Sequence, residues 1–215
     1  MRSKAYSTIF IPLLATICVI GFIDTAAADN DKYGGNKNRA IAKAEIEELM
    51  SCYAYSFDTI NRAVTAIYSD FNNLEFLDPR NMSDPNFAEG YERFRGCTTK
   101  DFVIEIYKLD GTPVLLEGWI PAGPLPWVNL VNFFRADDDI ASQSQHLFGS
   151  LSTAVHGRTG TLKAYATISG SRITAEGELV KSGPGTSTYT SDVVYKRGKW
   201  LLKKTTLVEN NLVDD

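Results

Sequence analysis

Apolar positions in the first half of the chain recur at helical spacing. From Ala40 to Phe57 apolar residues return every third or fourth position, and lysine and glutamate lie between them. This period predicts an amphipathic helix over these residues. A second stretch with the same period predicts another helix over residues 61–71. The turn-rich residues 77–86 then interrupt the helical pattern. We therefore expect helices to dominate the first half of the domain.

The second half of the chain has the patterns of strands. β-branched and aromatic residues flank Asp110 and Gly111 in residues 101–120, which predicts a β-hairpin. Prolines then interrupt the chain, and a short helix is expected from Pro126 to Arg135. Antiparallel strands are expected over residues 145–157, 161–169, 172–183, 188–197 and 199–209, with turns at 157–160, 183–185 and 197–198. Helices followed by a meandering sheet predict an α+β fold in which the helices cover one sheet face.

The first 28 residues have the layout of a cleavable secretory signal peptide. Arg2 and Lys4 precede an apolar run from Ile9 to Ile23, and three alanines ending at Ala28 follow. A membrane anchor would need roughly 20 apolar residues, and this run is shorter. The pattern therefore predicts cleavage after Ala28 and a secreted or periplasmic protein.

The rest of the chain divides into three parts. Residues 29–39 are polar and contain glycine, which predicts a flexible leader. Residues 40–208 predict one α+β domain, and residues 209–215 form a C-terminal tail. No later apolar run is long enough to cross a membrane, so no membrane contact is expected after signal cleavage.

Charge and cysteine content narrow the function classes. The formal net charge is −4, and removal of two cations and one aspartate with the signal peptide makes it −5. A mildly acidic chain without a basic stripe argues against a nucleic-acid partner. Cys52 and Cys97 remain in the mature chain, where they can form a disulfide bond in an oxidising compartment or stay as buried thiols.

No metal site is expected from the sequence. Two cysteines alone cannot complete a tetrahedral zinc site. The acidic run at residues 137–139 is more typical of a solvated loop than of converging metal ligands. There is also no phosphate-binding loop, dinucleotide fingerprint or serine-hydrolase motif, so no cofactor is implied.

One carboxylate and one imidazole are candidates for acid–base chemistry. Asp58 follows apolar and aromatic residues, where a buried carboxylate needs a partner, but it could instead cap a helix that begins near residue 60 or 61. The chain has two histidines. His156 lies at an expected turn, which favours exposure, whereas strand alternation places His146 on the same face as Phe148, Ser150 and Ser152.

Four motifs in order resemble a known family. The stretches are CYAYSFD at 52–58, SQHLFG at 144–149, GRTGTLKAYATI at 157–168 and DVVYKRGKWLLKKTTL at 192–207. Together they resemble SnoaL-like proteins of the nuclear transport factor 2-like superfamily, to which scytalone dehydratase is similar. The resemblance covers residues 40–208. It implies a cone-shaped fold, with a curved and mostly antiparallel sheet around an apolar pocket, and a homodimer.

The resemblance also implies a catalytic trio. Tyr53, Asp58 and His146 match the aromatic, aspartate and histidine positions of the dehydratase-like members. The implied activity is that of a cofactor-independent lyase or isomerase, such as a dehydratase, isomerase or cyclase, acting by acid–base catalysis on a small hydrophobic carbonyl compound. Two departures weaken it: Phe57 replaces a tyrosine, and residues 164–172 lack the second histidine.

Further residues could line the pocket, and a non-catalytic function is the alternative. The strand and helix positions expected to face the pocket are Trp127, Phe148, Tyr165, Tyr189 and Ser191. Enzymes and binding modules share this fold, so fold alone does not give function. The alternative is a secreted binding or assembly protein that holds an apolar ligand or a protein partner.

Overall fold

The structure, a computed structural model, describes residues 36–62, 84–133, 141–174 and 176–210. These residues belong to one compact unit, Asp31–Asp215. Its elements are α1 (Asn36–Ile60), α2 (Pro85–Cys97), β1 (Thr98–Lys108), β2 (Pro113–Leu115), α3 (Pro124–Phe133), β3 (Ala141–His156), β4 (Thr159–Ile173), β5 (Leu179–Lys196) and β6 (Lys199–Glu209). The predicted signal peptide, most of the helix expected over 61–71 and the acidic run at 137–139 lie outside the described residues.

Helix α1 confirms the helix predicted from the apolar period. Its large buried apolar side chains follow steps of three and four residues and form one stripe, consisting of Ile46, Leu49, Met50, Tyr53, Phe57 and Ile60. The helix extends beyond the predicted bounds at both ends. Asp58 therefore lies inside its last turn.

Helix α2 was missed by the sequence analysis. Asp84 caps its start by accepting a hydrogen bond from the Asn86 backbone nitrogen at 2.8 Å, and Pro85 occupies the first turn, where a proline is tolerated. The same Asp-Pro pair is also typical of a turn, so the sequence predicts a turn here instead of a helix start. Phe87 and Phe94 of α2 are fully buried in the core.

The six strands form one mixed sheet in the order β2-β1-β6-β5-β4-β3. Strands β3 to β6 form an antiparallel meander, and β1 pairs with β6 in parallel. The hairpin predicted around Asp110 is confirmed as β1 and β2, although β2 has only three residues. Helices followed by a curved, mostly antiparallel sheet confirm the predicted α+β class.

The strand predicted over residues 172–183 is not a separate strand. Strand β4 ends at Ile173 and β5 begins at Leu179, and between them Gly177 has a positive φ of 84° and its nitrogen donates to the Thr174 carbonyl at 2.9 Å. The predicted turn at 183–185 lies inside β5. Four strands therefore replace the five expected after Ser142.

A bulge in β3 also changes one expectation. The β3–β4 pairing shifts between Gly149 and Ser152, and Ser150 has a positive φ of 50°. A bulge inserts an extra residue and reverses the alternation of side chains beyond it. Ser150 and Ser152 are consequently exposed instead of sharing the face of His146, and Thr153 is buried.

A disulfide bond joins Cys52 of α1 to Cys97 at the end of α2. It decides between the two states that the sequence left open for these cysteines. The bond closes a loop with a sequence separation of 45 residues. Such a cross-link stabilises a domain mainly by restricting the unfolded chain.

None of the helices in the described ranges is long and apolar enough to span a bilayer.

Helices α1 and α2 touch at a glycine, which makes their contact testable. A methyl group added to Gly90 would lie 2.5 Å from Ile60 Cγ1 and 2.8 Å from the Ser56 carbonyl oxygen. We expect Gly90→Ala to lower the free energy of unfolding by about 1–3 kcal/mol, as overpacking does. Urea denaturation followed by circular dichroism measures this change.

Gly96→Ala is the matched control, because a methyl group at Gly96 meets nothing within 4 Å. Alanine favours helix, so this variant should be as stable as the wild type or more stable by about 0.5–1 kcal/mol. Equal stability of the two variants would contradict the close contact between α1 and α2.

Candidate active site

The end of α1 is joined to β3 through Asp58 and His146. The Nδ1 atom of His146 lies 2.7 Å from Asp58 Oδ1, and the His146 backbone nitrogen donates to Asp58 Oδ2 at 3.1 Å. Both side chains are largely buried, with 11% of His146 and 15% of Asp58 exposed. The carboxylate thus bonds to β3, and Asp58 lies inside α1 instead of preceding a helix that begins at residue 60 or 61.

Two polar residues that the sequence analysis missed complete this contact. The Ser144 hydroxyl donates to Asp58 Oδ1 at 3.0 Å, and Asn61 Nδ2 donates to Ser144 Oγ at 2.6 Å. Ser144 is two positions before His146, so both side chains lie on the same strand face. Strand alternation could have found Ser144, whereas no sequence signal indicates the contact with Asn61.

Aromatic rings surround the imidazole of His146. Its ring centroid lies 6.5 Å from that of Tyr53, 6.3 Å from that of Phe57 and 6.4 Å from that of Phe148, on which it is stacked at 17°. Tyr53 and Phe57 come from the buried stripe of α1. The structure therefore brings Tyr53, Asp58 and His146 together, and their catalytic roles remain a prediction.

Three polar groups meet beside this aromatic cluster. The Tyr53 and Tyr189 rings pack edge to face with their centroids 5.5 Å apart, and each phenol affects the pKa of the other. Trp127 Nε1 lies close enough to lower the pKa of Tyr53, although no hydrogen bond of standard geometry joins this buried nitrogen to any described residue. Burial, and then the proximity of Tyr189, raise the pKa of Tyr53 well above its ordinary value, and burial likewise raises the pKa of Tyr189. Both phenols are therefore neutral at ordinary pH.

Of the predicted pocket residues, Phe148, Tyr189 and Trp127 lie around this cluster. The Phe148 ring lies 4.9 Å from Tyr189, and the Trp127 ring lies 5.7 Å from Phe57. Ser191 is fully buried, and its hydroxyl shares a 2.9 Å hydrogen bond with Thr205. Ser191 thus lies in the core, where its hydroxyl bonds to the neighbouring strand β6.

The structure does not bring Tyr165 to this site. Alternation along β4 turns Ala164 and Ala166 into the core, where they are 1% and 3% exposed. Tyr165 lies between them on the opposite face and is 60% exposed. The two alanines thus occupy the inward positions expected for Tyr165.

A separate cleft lies between β1 and the segment that follows β2. It has an empty volume of about 230 Å³, part of which is open solvent. Its lining includes Trp127 but neither Asp58 nor His146. Within the described ranges, no group of three or more histidine, cysteine, aspartate or glutamate side chains is placed to bind a metal ion.

The fold is similar to that of several solved structures. No protein-family model and no curated protein sequence matches the chain. The Kfla4162 protein from Kribbella flavida is 16% identical with a TM-score of 0.52, and the alignment covers 80% of this chain and 93% of that one. LinA is 13% identical with a TM-score of 0.50, over 82% of this chain and 93% of LinA.

Another of these structures is a hexachlorocyclohexane dehydrochlorinase, LinA type 2. It is 13% identical with a TM-score of 0.48, over 82% of this chain and 90% of that one. At such identities the similarity concerns the fold and not the activity. With the Kribbella flavida protein and LinA the chain thus shares an α+β fold of helices followed by a curved, mostly antiparallel sheet, which is the fold that the sequence predicted.

Proposed function

We propose that the protein is a cofactor-independent lyase or isomerase that acts on a small hydrophobic carbonyl compound by acid–base catalysis. The observation that carries the proposal is the 2.7 Å hydrogen bond between His146 Nδ1 and Asp58 Oδ1. A carboxylate bonded to one ring nitrogen fixes the tautomer and leaves the other nitrogen to move a proton. In this arrangement Nε2 of His146 is the base.

The proposed reaction begins with proton abstraction. His146 Nε2 takes a proton from the carbon next to the substrate carbonyl, and the electron pair of the broken bond moves toward the carbonyl oxygen to form an enolate. In a dehydration, the electron pair returns to expel a β-hydroxyl group, which leaves as water with the proton from His146. If His146 instead returns the proton to another carbon, the product is an isomer. Neither route changes the oxidation state of the protein or needs a cofactor.

The Tyr53 and Tyr189 pair can supply the hydrogen bond that the enolate oxygen requires. Each neutral phenol carries one hydroxyl hydrogen, which it can donate to a substrate oxygen. A donor at a buried site stabilises developing negative charge more strongly than water does, and fixed donors need no reorganisation during the reaction.

The aromatic residues around His146 favour an apolar substrate. Phe57 and Phe148 flank the imidazole, and apolar walls with a few polar groups are typical of small-molecule sites.

A binding or assembly function is the second candidate. The favouring observation is Phe57, which is 3% exposed and packs against Phe94 at 5.2 Å between ring centroids. It occupies the position where the resembling dehydratase has a tyrosine, so one polar group of that reaction is replaced by core packing. In this alternative the site holds an apolar ligand or a protein partner without turnover.

The two histidines provide a test that separates these candidates. The assay incubates the protein in D₂O with small β-hydroxy ketones and cyclic ketones, and NMR follows deuterium uptake beside the carbonyl and product formation. We expect His146→Ala to lower the rate by about 10²–10⁴-fold, because general acid–base catalysis contributes that much. His156→Ala is the matched control and should keep the wild-type rate, since this residue is exposed at the end of β3.

Two results would count against catalysis by His146. One is a rate that His146→Ala leaves unchanged. The other is ketone binding by the wild type, detected by ligand NMR, without deuterium uptake or product across the panel. The second result would favour the binding function, because a ligand would enter the site without proton transfer.

We also propose that the protein is exported to a secreted or periplasmic location. The Cys52–Cys97 disulfide bond supports this, since disulfides persist in oxidising compartments and are rare in the reducing cytosol. The N-terminal sequence pattern supports it independently. Removal of residues 1–28 would also remove Cys18, the third cysteine of the chain.

Export makes a prediction for the mass of the secreted protein. When the full chain is produced in a host with a secretory pathway, we expect the exported protein to begin at Asp29 and to be lighter than its reduced form by two hydrogen atoms. Intact-mass spectrometry before and after reduction measures both values. Retention of residues 1–28 would contradict the signal peptide, and two free thiols would contradict the disulfide bond.

A further inference from the structure

We propose that Asn61 and Ser144 are positioning residues that hold Asp58 as a hydrogen-bond acceptor for His146. The inference deepens the proposed function and rests on it for its catalytic meaning. Four side chains form a continuous series: Asn61 bonds to Ser144, Ser144 to Asp58 and Asp58 to His146, at 2.6, 3.0 and 2.7 Å. Neither Asn61 nor Ser144 needs to touch the substrate in this role.

The direction of the hydrogen bonds follows from the chemistry of the groups. An amide nitrogen can donate but cannot accept, so Ser144 Oγ accepts from Asn61. A hydroxyl group has one hydrogen, and the hydrogen of Ser144 is thereby left for Asp58 Oδ1. Asn61 thus sets the orientation of a hydroxyl group that contacts the carboxylate.

Asp58 then receives three hydrogen bonds. The Ser144 hydroxyl and the His146 backbone N–H donate two of them, and because a carboxylate only accepts, we assign the His146 ring as the donor of the third, at Nδ1. Only an ionised carboxylate accepts at both oxygens without donating. Asp58 therefore acts as an acceptor that keeps the proton of neutral His146 on Nδ1, and it does not exchange a proton with the substrate itself.

The end of α1 and strand β3 place these four residues side by side. Asp58 lies in the last turn of α1, and Asn61 directly follows the helix, with its backbone nitrogen donating to the Phe57 carbonyl at 2.9 Å. Ser144 and His146 are two residues apart on one face of β3. The Ser144 hydroxyl contacts both Asp58 and Asn61.

The test measures solvent exchange of the His146 Nδ1–H proton by NMR in the folded protein without substrate. We expect Ser144→Ala to speed this exchange at least about tenfold, because hydrogen bonds to charged groups have effects of that size. Asn61→Asp should do the same, since a carboxylate in place of the amide would draw the Ser144 hydrogen away from Asp58. Ser144→Thr keeps the hydroxyl and should stay within about twofold of the wild type.

Ser56→Ala is the control, because it removes a buried hydroxyl that lies on α1 and does not contact Asp58. The Ser56 hydroxyl donates to the Cys52 carbonyl at 2.7 Å. This variant should leave Nδ1–H exchange unchanged. Backbone amide exchange in β4 reports whether a variant is merely less stable. Unchanged Nδ1–H exchange in both Ser144→Ala and Asn61→Asp would overturn the proposal, as would equal acceleration in β4.

This test separates the inference from the proposed function. If the variants behave as expected but the wild type turns over no ketone, the positioning series stands and the catalytic proposal fails. Where turnover is found, Ser144→Ala should lower kcat about tenfold with KM within about twofold, and Ser144→Thr should restore kcat. Turnover that Ser144→Ala leaves unchanged would remove the positioning role and keep the catalytic proposal.

Discussion

At the end of α1 a carboxylate lies largely out of water, and its need for partners governs the arrangement of the site. An unpaired charge in such a place would cost several kcal/mol. Asp58 avoids this cost with partners that all come from β3: the Ser144 hydroxyl and the His146 backbone donate to it, and Nδ1 of the His146 ring lies 2.7 Å away. The same bonds attach the helix to the edge strand of the meander. The attachment of α1 to β3 and the orientation of the imidazole therefore share one contact.

The aromatic residues around this contact serve both packing and chemistry. Tyr53 belongs to the buried stripe of α1, and its ring contacts Phe94 and Tyr189 as well as His146. Burial keeps its hydroxyl neutral, which a hydrogen-bond donor requires. Because burial raises its pKa, Tyr53 keeps its hydroxyl hydrogen even at a pH at which an exposed tyrosine ionises. A substitution of Tyr53 that removes the hydroxyl donor therefore also changes the packing of the core around it.

The sequence predicted those features that a local period determines. The long apolar stripe defines α1, and β-branched and aromatic runs define the sheet. It missed α2, because Asp84 and Pro85 are typical of turns as well as of helix starts. It placed Tyr165 in the pocket because period alone does not tell which strand face is inward. The pairing of Asp58 with His146 came from the family resemblance, since no local pattern relates residues 88 positions apart.

The central claim is that Asp58 holds the proton of neutral His146 on Nδ1 and leaves Nε2 able to accept one. The ¹⁵N chemical shifts of the histidine ring nitrogens measure this directly in the unliganded protein at about pH 8, where an ordinary imidazole is neutral. The chain has two histidines, so His156→Ala assigns the signals. We predict a protonated Nδ1 and an unprotonated Nε2 for His146. A proton on Nε2, or a rapid average of both forms, would contradict the account.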